Sequence, residues 1–271
     1  MTNTEQVRTH YGATGLVERI RDALAEVAPE DATLTPERLA GLDQFHTRGL
    51  AATLDLARDA ALQPGERVLD IGCGIGGLAR LLASRFGVTV SGVDLSPPFI
   101  EAARYLTERC GLQKHVTLEV GDATRLSSAD GTFDAVFLQH VAMNIADRPA
   151  LYREARRVLA KNGRFATYDI VRAGGEPHYP VPWALTPETS CLLTADETRE
   201  AVEAWGFRTR VWRDETDAAK AFFMEVAQAG PPSGPSLALV IGPEFRAVTG
   251  NLARSIMAGR VAVLAAVFEA V

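Results

Sequence analysis

A chain of 271 residues suffices for one large α/β domain or a domain with an attached lid, and its 47% hydrophobic and 23% charged residues exclude a disordered chain. A formal net charge of −6, with no cluster of Lys and Arg, argues against nucleic acid as a partner, because phosphate binding needs concentrated positive charge. The three scattered cysteines, Cys73, Cys110 and Cys191, suggest a reducing, cytoplasmic setting and offer neither a disulfide framework nor a metal site.

The first six residues are polar and carry no signal-peptide core, and no apolar run approaches the length of a membrane span. Leu16, Val17, Ile20, Leu24 and Val27 recur at helical spacing until Pro29. A second helix is expected over 50–62, with Leu50, Leu54, Ala57 and Ala61 on one face. Residues 41–49 between them mix polar, aromatic and glycine residues and read as a connection with little core character.

The central stretch is Val68-Leu69-Asp70-Ile71-Gly72-Cys73-Gly74-Ile75-Gly76-Gly77, an apolar run that ends in glycines and leads into Leu78-Ala79-Arg80-Leu81-Leu82. It reads as strand, tight turn, helix, and its glycines let a ligand approach the main chain. The helix after Gly77 is expected to end near Phe86-Gly87, and the next strand, 88–94, ends in Asp94, 22 residues past Gly72. That is near the spacing of about 20 for a carboxylate that grips ribose hydroxyls, so a nucleoside ligand is the first hypothesis.

Gly72-x-Gly74-x-x-Gly77 also satisfies the dinucleotide fingerprint, which keeps an NAD(P)-dependent oxidoreductase as a rival. Asp70 discriminates between the two. A carboxylate beside the loop would repel a pyrophosphate but would welcome a ligand with a cation and no phosphate. S-adenosylmethionine, with an ammonium and a sulfonium, is such a ligand. Residues 68–77 with Val93-Asp94 resemble motif I and the second acidic motif of the class I S-adenosylmethionine-dependent methyltransferases.

Further along, Ser96 is placed to cap a helix with Pro97 at its first position, and Phe99, Ile100, Ala103, Leu106 and Cys110 mark its buried face. Strand 116–120 breaks at Gly121-Asp122-Ala123; the resemblance puts Asp122 on the adenine amino group, with Ala123 and Leu95 beside the cofactor. Strand 133–138 is followed by Gln139-His140. The rule that ligands bind outside the carboxyl ends of strands puts both at the site rim, with His140 as candidate base. A helix is expected over 148–160 with a stop at Lys161-Asn162-Gly163, then a strand over 164–170. The run 157–164 resembles the family's R-V-L-x-P-G-G motif and departs from it at Lys161 and Asn162.

Residues 172–187, rich in Gly, Pro and aromatics, read as a substrate-side wall carrying Tyr179 and Trp183. Helices over 194–205, 218–229 and 243–257, a strand over 206–213 and a Gly/Pro connector at 230–235 complete the pattern. The final apolar run, 261–268, is ambiguous between strand and helix by pattern alone. Strand–helix alternation predicts an α/β, doubly wound parallel sheet, and the resemblance makes it Rossmann-like and seven-stranded with its last strand antiparallel. Residues 1–62 would be an N-terminal helical lid, and 63–271 the cofactor-binding domain with substrate-side insertions at 172–187 and 217–258.

The resemblance implies methyl transfer from S-adenosylmethionine to a small-molecule acceptor through nitrogen, oxygen or carbon, in specialised or amine metabolism. Gln44-Phe45-His46 and Pro180–Ala184 look like the sarcosine/dimethylglycine and natural-product branch. It makes His46 a second candidate base and puts Tyr11 and Phe45 over the acceptor. A non-methylating reaction on the same fold, such as cyclisation, and a homo-oligomer are both left open.

Overall fold

β1 (Arg67–Ile71) is buried from Val68 onward, and its successive side chains feed two different cores. Val68 points to one face and Leu69 to the other, the period-2 alternation of a strand covered on both sides. The computed structural model describes residues 3–12, 15–230 and 234–271. The other strands are β2 (Thr89–Asp94), β3 (Val116–Val120), β4 (Phe133–Gln139), β5 (Leu159–Arg172), β6 (Phe207–Asp214) and β7 (Val261–Ala270). They lie in the order β3-β2-β1-β4-β5-β7-β6.

β1 to β5 pair in parallel. β7 enters antiparallel between β5 and β6, as expected for the last strand of this fold, and thereby settles the ambiguity of the apolar run at 261–268. The order reverses between β1 and β4, and at that switch point the carboxyl ends of the two strands open a crevice.

Helices cover both faces. On one side lie α4 (Gly49–Asp59), α5 (Gly77–Phe86), α6 (Pro97–Arg109), α9 (Thr216–Ala229) and α11 (Phe245–Met257). On the other lie α7 (Arg148–Val158) and α8 (Ala195–Glu203). The Ser96 cap is the one the sequence suggests, its hydroxyl accepting from Phe99 N, and α8 starts on a reciprocal capping box of Thr194 with Glu197. α1 (Asn3–His10) runs across the carboxyl end of the sheet and is tied down by His10 and Tyr11, both bonded to the Pro182 carbonyl. α2 (Leu16–Ala25) and α3 (Pro36–Asp43) share a third core with α6, to which Leu16, Ile20, Leu39 and Leu42 contribute. Each such buried side chain stabilises that docking by about 1.5–3 kcal/mol.

Several local expectations change. Val27 is exposed, because α2 ends at Ala25 and the chain turns before it. The buried face of α4 is Ala52, Thr53, Leu56 and Ala57; Leu50 and Leu54 lie off it and Ala61 lies past its end, so of the expected face only Ala57 holds. The stretch 41–49 begins as the end of α3 and buries Asp43, Gln44 and Thr47, so it is polar core and not a solvated connection. α7 stops at Val158 and the chain is already extended at Leu159, with an irregularity in the β4–β5 pairing where Asn162 takes a positive φ. α11 starts at Phe245, after a short α10 (Ala238–Ile241) that pattern reading did not separate. Met1 and Thr2 of the polar terminus, and Pro231 to Ser233 of the connector, lie outside the described residues.

Candidate functional site

The crevice at the switch point is a cavity of about 360 Å³ lined from the β1–α5 loop, the end of β2, the β3–β4 loop, the end of β4, α1 and the 180s loop. Its glycines have distinct duties. Gly74 has φ +53°, and a Cβ built on it would meet no protein atom within 4 Å, so the main chain there is bare toward the cavity. Gly77 does not line the cavity; a Cβ there would run into Asp43, so it serves the close docking of α3 on α5.

The Asp94 carboxylate caps this loop. Oδ2 accepts from Gly74 N at 2.9 Å and Oδ1 from Ser96 N at 2.8 Å. Each oxygen keeps a further lone pair, which suits a vicinal diol. Asp70 is 2% exposed, and its Oδ2 has no hydrogen-bond partner. Burial, with Asp94 adding to it and Arg80 opposing, pushes the Asp70 carboxyl up to about 8. A cation brought to the cavity would hold it ionised. Gln139 Nε2 is a second buried polar atom without a partner, here a donor. Two unsatisfied groups of opposite character on one wall fit the ammonium and carboxylate of an amino-acid moiety. Asp122, Ala123 and Leu95 line the cavity beyond Asp94, where a base would lie.

Two histidines line the cavity beside Gln139. His140, next after β4, takes φ +53°, a costly conformation for a non-glycine residue. Its N–H donates to the Tyr168 carbonyl at 2.8 Å, its ring stacks on Tyr168 at 5.6 Å, and its Nε2 lies 3.4 Å from the Thr47 hydroxyl. Burial, with His46 adding to it, holds His140 well below the usual imidazole range. His46 is held down to about 4, again by burial.

Both nitrogens of His46 are engaged. Nδ1 faces the Thr47 carbonyl at 3.2 Å, which only accepts, so Nδ1 carries the hydrogen. Nε2 then lies 3.0 Å from the Thr53 hydroxyl. Thr53 also lies within 3.2 Å of Gln139 Oε1 and 2.9 Å of Gln44 Oε1, which ties α4 to the end of β4. Of the two imidazoles, His140 has the freer ring.

The structure thus brings Tyr11, Phe45, His46, Asp70, Gly72, Gly74, Asp94, Leu95, Asp122, Ala123, Gln139, His140 and Trp183 onto one cavity. Tyr179 is not among them; its hydroxyl donates to Glu176, and the wall at that point is Pro182 and Trp183. Sequence reading missed Thr47, Thr53 and Tyr168, which position the histidines, and Asn144, whose Oδ1 accepts from the Tyr11 hydroxyl at 3.3 Å. It also missed the fully buried pair Arg80–Asp43, 2.8 Å apart, in which the other Nη2 contact is the Ile75 carbonyl of the glycine loop.

Residues 69–167 match a family model described as a methyltransferase domain. Phosphoethanolamine N-methyltransferase 1 of Arabidopsis thaliana is 36% identical over 190 residues, 70% of this chain and 38% of that protein. The chain spans less than two fifths of the length of the first plant relatives it matches. Among solved structures, phosphoethanolamine N-methyltransferase 2 of Haemonchus contortus, in complex with S-adenosyl-L-methionine, superposes with a TM-score of 0.72 at 22% identity, over 100% of this chain and 60% of that one. The [4+2]-cyclase SpnF gives a TM-score of 0.69 at 20% identity, over 99% of this chain and 96% of that one. These likenesses in three dimensions establish the fold.

Proposed function

We propose that this chain, which belongs to the class I S-adenosylmethionine-dependent methyltransferases, transfers a methyl group to a hydroxyl of a small-molecule acceptor. The observation that carries the reading is that Asp94 and His140 line one cavity, the first suited to a ribose and the second to a proton. The bound cofactor supplies an electrophilic methyl on a sulfonium whose departure leaves a neutral thioether.

The chain's own residues supply the rest. Asp94 and the bare main chain at Gly74 hold the nucleoside, and Asp70 and Gln139 hold the amino-acid end. Tyr11, Phe45 and Trp183 close the acceptor side and exclude water, which keeps the nucleophile aligned. The neutral His140 ring takes the hydroxyl proton as the new bond draws charge from the oxygen. Free Cys73, Cys110 and Cys191 support a reducing, cytoplasmic setting. No helix among the described residues is long and apolar enough to cross a membrane.

The test follows labelled methyl from S-adenosylmethionine into a panel of phenols and alcohols. His140→Ala should lower turnover about 10²-fold or more, the usual range for a general base, with cofactor affinity unchanged. An amine acceptor, as the names of the plant relatives give for those proteins, would leave His140→Ala close to wild type. Consumption of an acceptor with no label incorporated would return the chain to the cyclase reading. Binding of NAD(P) in place of S-adenosylmethionine would return it to the oxidoreductases.

A further inference from the structure

Beyond the cofactor crevice lies a second chamber of about 450 Å³, between α1, the 180s loop and α10–α11. Like the inner cavity, it is by itself within the size range of whole small-molecule sites, about 300–1,000 Å³. Tyr11, Phe45, Phe99, Trp183 and Val240 line both chambers, so the two adjoin. Asp70, Asp94, Asp122 and His140 line only the inner one, so the outer chamber is not cofactor space. Its walls are built: His10 Nε2 donates to the Pro182 carbonyl at 2.9 Å, and Asn251 Nδ2 of α11 donates to the Pro180 carbonyl at 2.8 Å.

Charge sets the class of occupant. Among the described residues, no Lys or Arg lines either chamber. The charged side chains present are carboxylates: Asp43, Asp70, Asp94, Asp122 and Asp147 inside and Glu244 at the outer rim. A phosphate ester would bring a charge of about −1.5 to −2 into a site with no Lys or Arg to meet it. Leu185, Ile241 and Val248 give the outer chamber apolar sides instead.

We propose that the outer chamber holds the body of an uncharged, hydrophobic phenol or alcohol, and that this enzyme discriminates against phosphorylated acceptors. The proposal rests on the methyltransferase reading for the hydroxyl, and on the lining alone for the hydrophobic body.

The test uses the full chain saturated with S-adenosylhomocysteine, whose own isotherm is recorded first. The probes are 4-methylphenol through 4-pentylphenol, then 4-pentylphenyl phosphate. Affinity should rise about fourfold for each methylene that enters the chamber. The phosphate ester should bind at least ~tenfold more weakly than 4-pentylphenol, a gap set by the missing cation.

Leu185 is 54% exposed, so Leu185→Arg puts a cation at the chamber without disturbing the core. It should narrow that gap and leave S-adenosylhomocysteine affinity alone. Equal affinity along the alkyl series, or a phosphate ester that binds wild type as tightly as the phenol, would overturn the proposal. Loss of the S-adenosylhomocysteine isotherm would instead strike at the cofactor reading, while the alkyl series would still decide the character of the chamber.

Discussion

Arg80→Met is the most informative single perturbation of this architecture. Both side chains of the Arg80–Asp43 pair are fully buried. Arg80 Nη1 donates to the Ala103 carbonyl and the Thr107 hydroxyl, and Nη2 to Asp43 Oδ2 and the Ile75 carbonyl, at 2.8–3.2 Å. Removing one partner of such a pair costs about 3–5 kcal/mol, since a charge is left buried and unmatched. That is a large share of the roughly 5–15 kcal/mol by which proteins are stable.

The loss should depend on pH, and its sign follows from Asp43. Burial raises its pKa against the pull of Arg80. Without Arg80 the folded pKa rises further above the unfolded value, so the folded state binds the extra proton. Stability of the variant relative to wild type therefore falls as pH rises from the wild-type folded pKa of Asp43 toward the higher one of the variant, by up to about 1.4 kcal/mol per pH unit. Urea titrations of both proteins at pH 5 and pH 8 measure this. The double variant Arg80→Met with Asp43→Asn should recover part of the loss at pH 8. A single variant within about 1 kcal/mol of wild type at pH 8, well below the cost of a broken buried pair, would refute the reasoning, as would a double variant no better than the single.

Gly74→Val should abolish S-adenosylmethionine binding, because its side chain would fill the bare stretch of main chain, while the left-handed backbone costs only about 1–2 kcal/mol of stability; calorimetry beside a thermal melt separates the two. Phe45→Ala and His46→Ala should lower turnover more than they weaken cofactor binding, as single-turnover assays with a binding isotherm would show. His46 titrates near 4 when folded and near 6.5 when unfolded, so its contribution is present above pH 6.5 and lost as pH falls toward 4, an acid loss of about 3 kcal/mol. His46→Gln should flatten that part of the urea stability–pH curve.

The donor half of the site is legible in the sequence because its signals are local. A glycine loop between an apolar strand and a helix, and an acid at the end of the next strand, lie within 27 residues of chain from Val68 to Asp94. The N-terminal helices are less legible. Thr53 sits on the buried face of α4, where a hydroxyl reads as a neutral helix residue, yet it bonds His46. Arg80 in the amphipathic run of α5 reads as a solvent face, and only the folded arrangement shows that α3 and α6 close over it. Tyr179 and Trp183 share one aromatic loop, but which of them faces the cavity depends on how Pro180 and Pro182 are pinned by Asn251, His10 and Tyr11, residues distant in sequence. Strand-to-strand periodicity gave the sheet, while polar contacts across 37 to 121 residues of chain fix Arg80 on Asp43 and Thr47 on Tyr168.

The central claim is that the crevice at the end of β1 and β2 is an S-adenosylmethionine site gripped by Asp94. Its most direct test is calorimetric titration of wild type and Asp94→Ala with S-adenosylmethionine, and of wild type with NADH. Each charge-assisted bond to a ribose hydroxyl contributes about 1.5–3 kcal/mol, so the variant should bind at least ~tenfold more weakly with its fold intact, and NADH should give no heat. Unchanged affinity in Asp94→Ala, or saturable binding of NADH with none of S-adenosylmethionine, would contradict the account.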